Sequence, residues 1–233
     1  MSLKTYRQKR DFRISPEPSG TSRHRSKQLG VYVIQKHRAT QLHYDFRLEF
    51  DGTLLSWAIP KGPSLDPSVK RLAMHVEDHP VDYATFEGVI PEGKYGGGTV
   101  MVWDQGTWQP EAENVTEALK KGDLKFTLKG EKLHGSWVLV RTRGYGHNTD
   151  RSWLLIKHRD RFASKEDITA TQPRSAASNK LLADIARANG GDIEKAATGD
   201  PKPGGRNANK NAGPTLKILK RSRSEKKKAN TSE

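Results

Sequence analysis

His43, Asp45 and Arg47 fall at alternate positions of one stretch, Gln35–Glu49, QKHRATQLHYDFRLE. Two neutral imidazoles, from His37 and His43, and the Asp45 carboxylate form a three-donor set for a divalent transition metal that leaves positions for water and substrate. Arg47, next along the same face, offers a planar fork suited to a phosphate. Tyr44, Phe46 and Leu48 point the other way, which is the period-two pattern of a strand with one apolar and one polar face. His37 and Gln35 share the parity of His43 unless a bend at Ala39–Thr40 breaks it. A strand needing only solubility would carry Lys, Thr or Glu on its outer face. The spacing H-x5-H-x-D is not a standard zinc signature, so a polar strand face with chance His and Asp competes on spacing alone.

A second cluster lies in LAMHVEDHPVDY, residues 72–83, where His75, Glu77 and His79 share a parity and Tyr83 follows. Alone, it reads as a strand ending in a turn at His79-Pro80. Beside the first cluster, His79 and Tyr83 become candidates for donating to a phosphate oxygen or protonating a leaving group. Arg10-Asp11 with Glu17 is a third patch, by itself a solvated charged segment. No G-x-x-x-x-G-K-[ST] is present, so the glycine-rich EGKYGGG reads as a β-turn. The chain has no G-x-S-x-G elbow, no Cys and no Lys-x-Asp-Gly, so acyl-enzyme, thiol and nucleotidyl-transfer chemistry are unsupported.

The elements that position these residues are short β-like runs from Leu29 to about Lys157. They cover 30–35, 41–50, 53–59, 71–77, 98–103, 106–109, 125–128, 135–141 and 151–157, divided by turn signals such as Asp51-Gly52 and Pro91-Glu92-Gly93. That pattern predicts an antiparallel sandwich or barrel. Asn114 with Glu117 opens one short helix, and Gly122 stops it. The five Trp all sit in β-like runs and read as core.

The chain holds 233 residues, 33% of them hydrophobic, with 41 Lys+Arg against 27 Asp+Glu for a net charge of +14. Such a surplus points to a polyanionic partner. No apolar run approaches the roughly 20 residues of a bilayer span, so a cytoplasmic, nucleoid-associated protein is expected. Three parts are expected: a basic, irregular arm at 1–28, a β-domain at 29–164, and a disordered basic tail at 165–233. The last has no aromatic residue and 15 Lys+Arg against 8 Asp+Glu. Within it, residues 179–189 read as a marginal helix capped by Ser178 and stopped by Gly190.

The runs IQKHRATQLHYDFRLEFDGTLLSWAIPKGPS, RLAMHVEDHPVDYATFEGVIPEGKYGGGTVMVWDQGTW and SWLLIKHRDRFA resemble the 3′-phosphoesterase module of bacterial DNA ligase D. The resemblance runs from about Arg10 to Ala163, without the polymerase and ligase modules that often accompany it, as in a stand-alone form. It implies a small antiparallel β-barrel with a polar groove. It also implies a manganese-dependent activity that removes 3′-terminal ribonucleosides and then 3′-phosphates, leaving a 3′-OH in end joining. By the resemblance, His37, His43 and Asp45 are metal ligands, and Arg47, His79 and Tyr83 engage the scissile phosphate. It makes Arg10, Asp11, Glu17 and Gln35 further essential residues, and Lys61, Arg71 and Glu77 accessory positions for monoester removal. Expected partners are DNA 3′ ends, with a separate ligase and end-binding proteins, and the chain is expected to be a monomer. The alternatives are a catalytically silent DNA-binding module of end joining and a small-molecule phosphoesterase.

Overall fold

The alternation in residues 42–50 becomes one wall of a barrel in the computed structural model, which describes residues 3–20, 30–142 and 150–202. In chain order the elements are α1 (Lys4–Gln8), β1 (Gly30–Arg38), β2 (Leu42–Phe50), β3 (Thr53–Ile59), β4 (Arg71–His75) and the two-residue β5 (His79–Pro80). A 3-10 turn (Val81–Thr85), β6 (Gly88–Ile90), β7 (Gly98–Pro110), α2 (Val115–Lys121), β8 (Asp123–Gly130) and β9 (His134–Arg141) follow. The described chain ends through β10 (Ser152–Lys157), α3 (Ile168–Thr171), α4 (Leu182–Ala188) and α5 (Ile193–Ala197).

Eight strands close on themselves in the order β1-β2-β3-β4-β10-β9-β8-β7, with β7 returning to β1, and every pairing is antiparallel. The barrel class is therefore as expected. Two short strands lie off the ring, β6 on β7 and β5 on β3. The run split in two at 98–109 is one continuous β7, which bulges against β1 between Ile34 and Gln35.

The apolar face of each strand points inward. Phe46, Trp57, Trp103, Phe126, Trp137, Leu139, Trp153 and Leu155 share one buried cluster, and all five Trp belong to it. A second cluster covers the outside of β1 and β7, where Val33, Val100 and Val102 pack under Tyr6, Tyr83, Phe86 and Ile90. Asp51 and Gly52 both take positive φ, 51° and 74°, which closes the two-residue hairpin between β2 and β3.

The α2 helix forms as its caps require. Asn114 accepts from the Glu117 N–H at 3.1 Å, and Gly122, at φ 79°, donates its N–H to the Ala118 and Leu119 carbonyls. It is one of five short α-helices among the described residues, where the sequence pointed to two, this one and one within 179–189. The arm is not wholly irregular: α1 buries Tyr6 completely. Residues 21–28 of the arm lie outside the described residues.

The largest correction concerns residues 165–202, expected to be disordered. Ile168, Leu182, Ile185, Ala186 and Ala196 join the main buried cluster, so α3, α4 and α5 cover apolar surface the barrel would otherwise expose. The helix foreseen at 179–189 is present but starts later. Its N-cap is Leu181, not Ser178, and Asp200 accepts from the Leu182 and Ala183 N–H groups at 2.9 Å each. The expected disorder of 203–233 lies outside the described residues. Among the described residues no helix is long and apolar enough to cross a membrane.

Candidate metal centre and its polar network

The bend at Ala39–Thr40 does not break the parity; it reverses the chain. The β1–β2 ladder sets His37 opposite His43, Gln35 opposite Asp45 and Val33 opposite Arg47. One donor comes from one arm of the hairpin and two from the other, on the outer face of the barrel. The imidazole centroids are 4.8 Å apart, and one donor atom from each of His37, His43 and Asp45 fits within 4.8 Å of the others.

Local contacts prepare these donors. The Gln41 carbonyl can only accept, so His43 Nδ1, 3.0 Å away, carries the proton and Nε2 keeps its lone pair. That Nε2 stands 3.6 Å from Asp45 Oδ2, and His37 Nδ1 stands 3.7 Å from the same oxygen. Both distances exceed hydrogen-bond reach. The His43–Asp45 distance meets the separation of about 3–3.6 Å between two ligands that each lie about 2.0–2.2 Å from one ion, and the His37–Asp45 distance lies just beyond it. His37 Nε2 is buried without a hydrogen-bond partner. A divalent cation therefore fits this donor set.

Burial pushes the His37 pKa down, which favours the neutral ligand form. Burial opposes charge on His43 too, but Asp45 and the Gln41 carbonyl outweigh it and raise its pKa. Burial alone would raise Asp45; Arg47 and the two imidazoles hold its carboxyl well below the usual carboxylate range.

From Asp45 a buried polar chain runs to the N-terminal arm. Arg47 places Nη2 3.2 Å from Asp45 Oδ2 and donates from Nε to Gln35 Oε1 at 2.8 Å and from Nη1 to Ser56 Oγ at 2.9 Å. Gln35 in turn donates to the Tyr83 and Phe86 carbonyls. His79 lies between two guanidiniums, with Arg47 Nη1 2.9 Å from Nδ1 and Arg10 Nη2 3.2 Å from Nε2. Its Nδ1 also meets the Glu77 carbonyl at 2.8 Å, so Nδ1 holds the proton and Nε2 accepts from Arg10. Arg10 pairs with Glu17 at 2.8 Å and Glu77 at 3.3 Å, and Tyr83 donates its hydroxyl to Glu17 at 3.0 Å.

Ten of the thirteen predicted site residues thus meet in one place: His37, His43, Asp45, Arg47, Gln35, His79, Tyr83, Arg10, Glu17 and Glu77. Three do not join. Asp11 is turned to Arg13, with contacts of 3.0 and 3.1 Å. Lys61 is exposed just after β3, beyond the Tyr44–Ile59 pair. Arg71 has the parity of the buried Ala73, and its Nε is buried and unpartnered. Two of the ten that meet sit deep in the network. Burial, with Arg47 and Arg10, holds the His79 pKa well below the ordinary imidazole value, which favours the neutral ring. Tyr83 is only 2% exposed, and its hydroxyl is committed to Glu17.

Sequence reading missed Ser56, Ser15 and Lys9. Ser56 pairs with Arg47 across the ladder, Ser15 donates to Glu17 at 2.7 Å, and Lys9 bonds Glu77 at 3.0 Å. Ser56 opposes Arg47 four residues past a recognisable Asp-Gly hairpin, so its place was open to calculation; Ser15 and Lys9 left no such signal.

The family model described as the DNA ligase D 3′-phosphoesterase domain matches residues 35–141, a span that holds all three candidate metal donors, Arg47, His79 and Tyr83. The chain belongs to the DNA ligase D 3′-phosphoesterase family. It is 53% identical over 184 residues to the multifunctional non-homologous end joining protein LigD of Pseudomonas aeruginosa, covering 77% of this chain and 22% of that protein. It is 45% identical over 142 residues to the LigD end joining DNA repair protein of Mycobacterium tuberculosis (61% and 18%). It is 40% identical over 163 residues to LigD of Mycolicibacterium smegmatis (68% and 21%). The chain therefore spans about a fifth of the length of these relatives.

Proposed function

We propose that this chain is a divalent-metal-dependent phosphoesterase that trims the 3′ ends of DNA in end joining. It removes terminal ribonucleosides and 3′-phosphates to leave a 3′-OH, with manganese as its metal. The observation that carries the reading is the triad of His37, His43 and Asp45 converging beside a buried Arg47. The family membership narrows the chemistry to ester hydrolysis and the setting to LigD-type repair.

A divalent cation held by the triad supplies positive charge for a phosphoryl oxygen. The protein's own groups do the rest. Arg47 commits Nε–H to Gln35, one Nη1–H to Ser56 and one Nη2–H to Asp45. Of its remaining donors, the second Nη2–H beside Asp45 is the one directed to the phosphate, where negative charge grows. Neutral His79 is a fixed acceptor for Arg10 at Nε2, and its Nδ1 edge packs against Arg47. Gln35, Glu17 and Tyr83 hold these cations in register, and Glu77 ties Lys9 and Arg10 of the arm to the barrel. Lys61, exposed at the His43 end of β3, and Arg71 keep the accessory part in monoester removal.

The test is a labelled primer–template ending in one ribonucleotide, incubated with manganese, with magnesium and with chelator. Release of the ribonucleoside and then of phosphate is expected with manganese, and neither with chelator or for His43→Ala. Chelator-resistant cleavage, or full activity of His43→Ala, removes the assigned metal site. Binding without any cleavage leaves a silent DNA-binding module.

A further inference from the structure

We infer that the exposed ring of Tyr95 is a stacking ledge for a nucleobase flanking the scissile phosphate, an inference that rests on the 3′-end reading above. Tyr95 sits in the glycine-rich connection between β6 and β7. The five Trp are all buried, and among the described residues Tyr95, at 50%, is the only aromatic of the large apolar side chains left exposed. The loop is held at several points. Lys94 and Gly97 bond back along it, and Lys195 of α5 pairs with Glu92 at 3.0 Å.

The ring meets the arm cations, and the loop that carries it meets the candidate metal triad at the next residue. A Cβ on Gly96, the following residue, would lie 3.8 Å from His37 Cε1. Lys9 Nζ is 4.3 Å from the Tyr95 centroid and bonds its hydroxyl at 3.0 Å, and Arg10 Cζ is 5.6 Å from the same centroid. An open aromatic face beside cations is the pairing that holds single-stranded nucleic acid, the ring taking a base and the cations the backbone. A ring needed only to fix Lys9 would gain from burial, which desolvates a cation–π contact. This one is 50% exposed, in a loop whose next residue meets His37.

The experiment compares wild type, Tyr95→Phe and Tyr95→Ala on two manganese-supplied primer–templates. One bears bases at both nucleosides flanking the scissile phosphate; the other is abasic at both. On the first, Tyr95→Ala is expected to lower kcat/KM by about 5- to 150-fold, mainly through KM. On the second the change is less than about twofold, and Tyr95→Phe follows wild type on both. Equal losses on the two duplexes, or none, overturn the inference. So does a Tyr95→Phe loss matching that of Tyr95→Ala, which would assign the effect to the hydroxyl–Lys9 bond. A 2-aminopurine at each flanking position, read in chelator at saturating protein, separates this inference from the catalytic one. Quenching by wild type and Tyr95→Phe, but not by Tyr95→Ala, supports the ledge even where no end is cleaved. Unchanged quenching by Tyr95→Ala, or none by wild type, removes it.

Discussion

Arg10, on the N-terminal arm, reaches His79 Nε2 at 3.2 Å across 69 residues of sequence. The contact makes the arm part of the site. Arg10 also neutralises the buried Glu17, so Arg10→Ala strands a carboxylate in a buried setting. A loss of about 3–5 kcal/mol is expected in urea unfolding, with phosphoesterase activity falling by at least about tenfold. Metal binding at the triad, measured by titration calorimetry, should change little. If stability is untouched, the arm does not dock as described.

His43 is the most exposed member of the triad, its side chain 23% accessible. His43→Ala should therefore cost less than about 1 kcal/mol in metal-free protein. The rise in Tm that manganese gives the wild type should disappear. Retention of that rise would move the metal elsewhere.

Glu77 carries the acid-side prediction. Burial would raise its pKa, but Lys9 and Arg10 with its own backbone N–H lower it below the usual carboxylate value. A carboxylate whose folded pKa is depressed adds stability that is fully present above its unfolded pKa, near 4.3. That stability is lost as pH falls through the folded pKa. Unfolding measured from pH 6 to pH 3 should lose part of its slope in Glu77→Gln, with arm docking failing first in the wild type.

Lys132 gives the alkaline counterpart. Burial brings its pKa down to about 8, against the opposing pull of Asp104 and Glu131. Between that value and the unfolded pKa near 10.4 the unfolded chain holds one more proton, so stability from this group rises with pH. Lys132→Met should flatten the rise between pH 8 and pH 10 in urea titrations. An unchanged slope would mean the ammonium is solvated.

Truncation tests the C-terminal boundary. Removing 203–233 takes away nine Lys+Arg and two Asp+Glu, and should weaken DNA binding with a shallower salt dependence while leaving the fold intact. Removing 165–233 also takes away Ile168, Leu182 and Ile185, whose burial contributes about 1.5–3 kcal/mol each. That sum approaches the whole stability of a domain, so the shorter chain should lack a cooperative transition by circular dichroism. Cooperative unfolding of a chain ending at 164 would restore the original boundary.

That boundary shows where sequence reading ran short. The antiparallel strands and the capped α2 were legible because each is written in local periodicity, turn signals or cap residues, whereas closure into a barrel came from the resemblance and the β1–β2 register from the structure. Averaging over 165–233 hid a divide. Residues 165–202 are charge-balanced, six Lys+Arg against six Asp+Glu, and the whole surplus lies after them. Their leucines and isoleucines are too sparse to fold alone and are ordered by a surface formed elsewhere in the chain. β5 and β6, two and three residues long, fall below any periodic signal. Asp11 illustrates the limit at the site: carried over by position, its carboxylate faces Arg13 two residues on and not the buried network.

The hairpin that sets His37 against His43 has a consequence for how the chain folds. A one-residue slip between these two strands would swing Asp45, Arg47 and one imidazole to the inside of the barrel and leave the other imidazole outside. Only the correct alignment can close around an ion, so whatever cation binds there also proofreads the pairing of the strands that hold it.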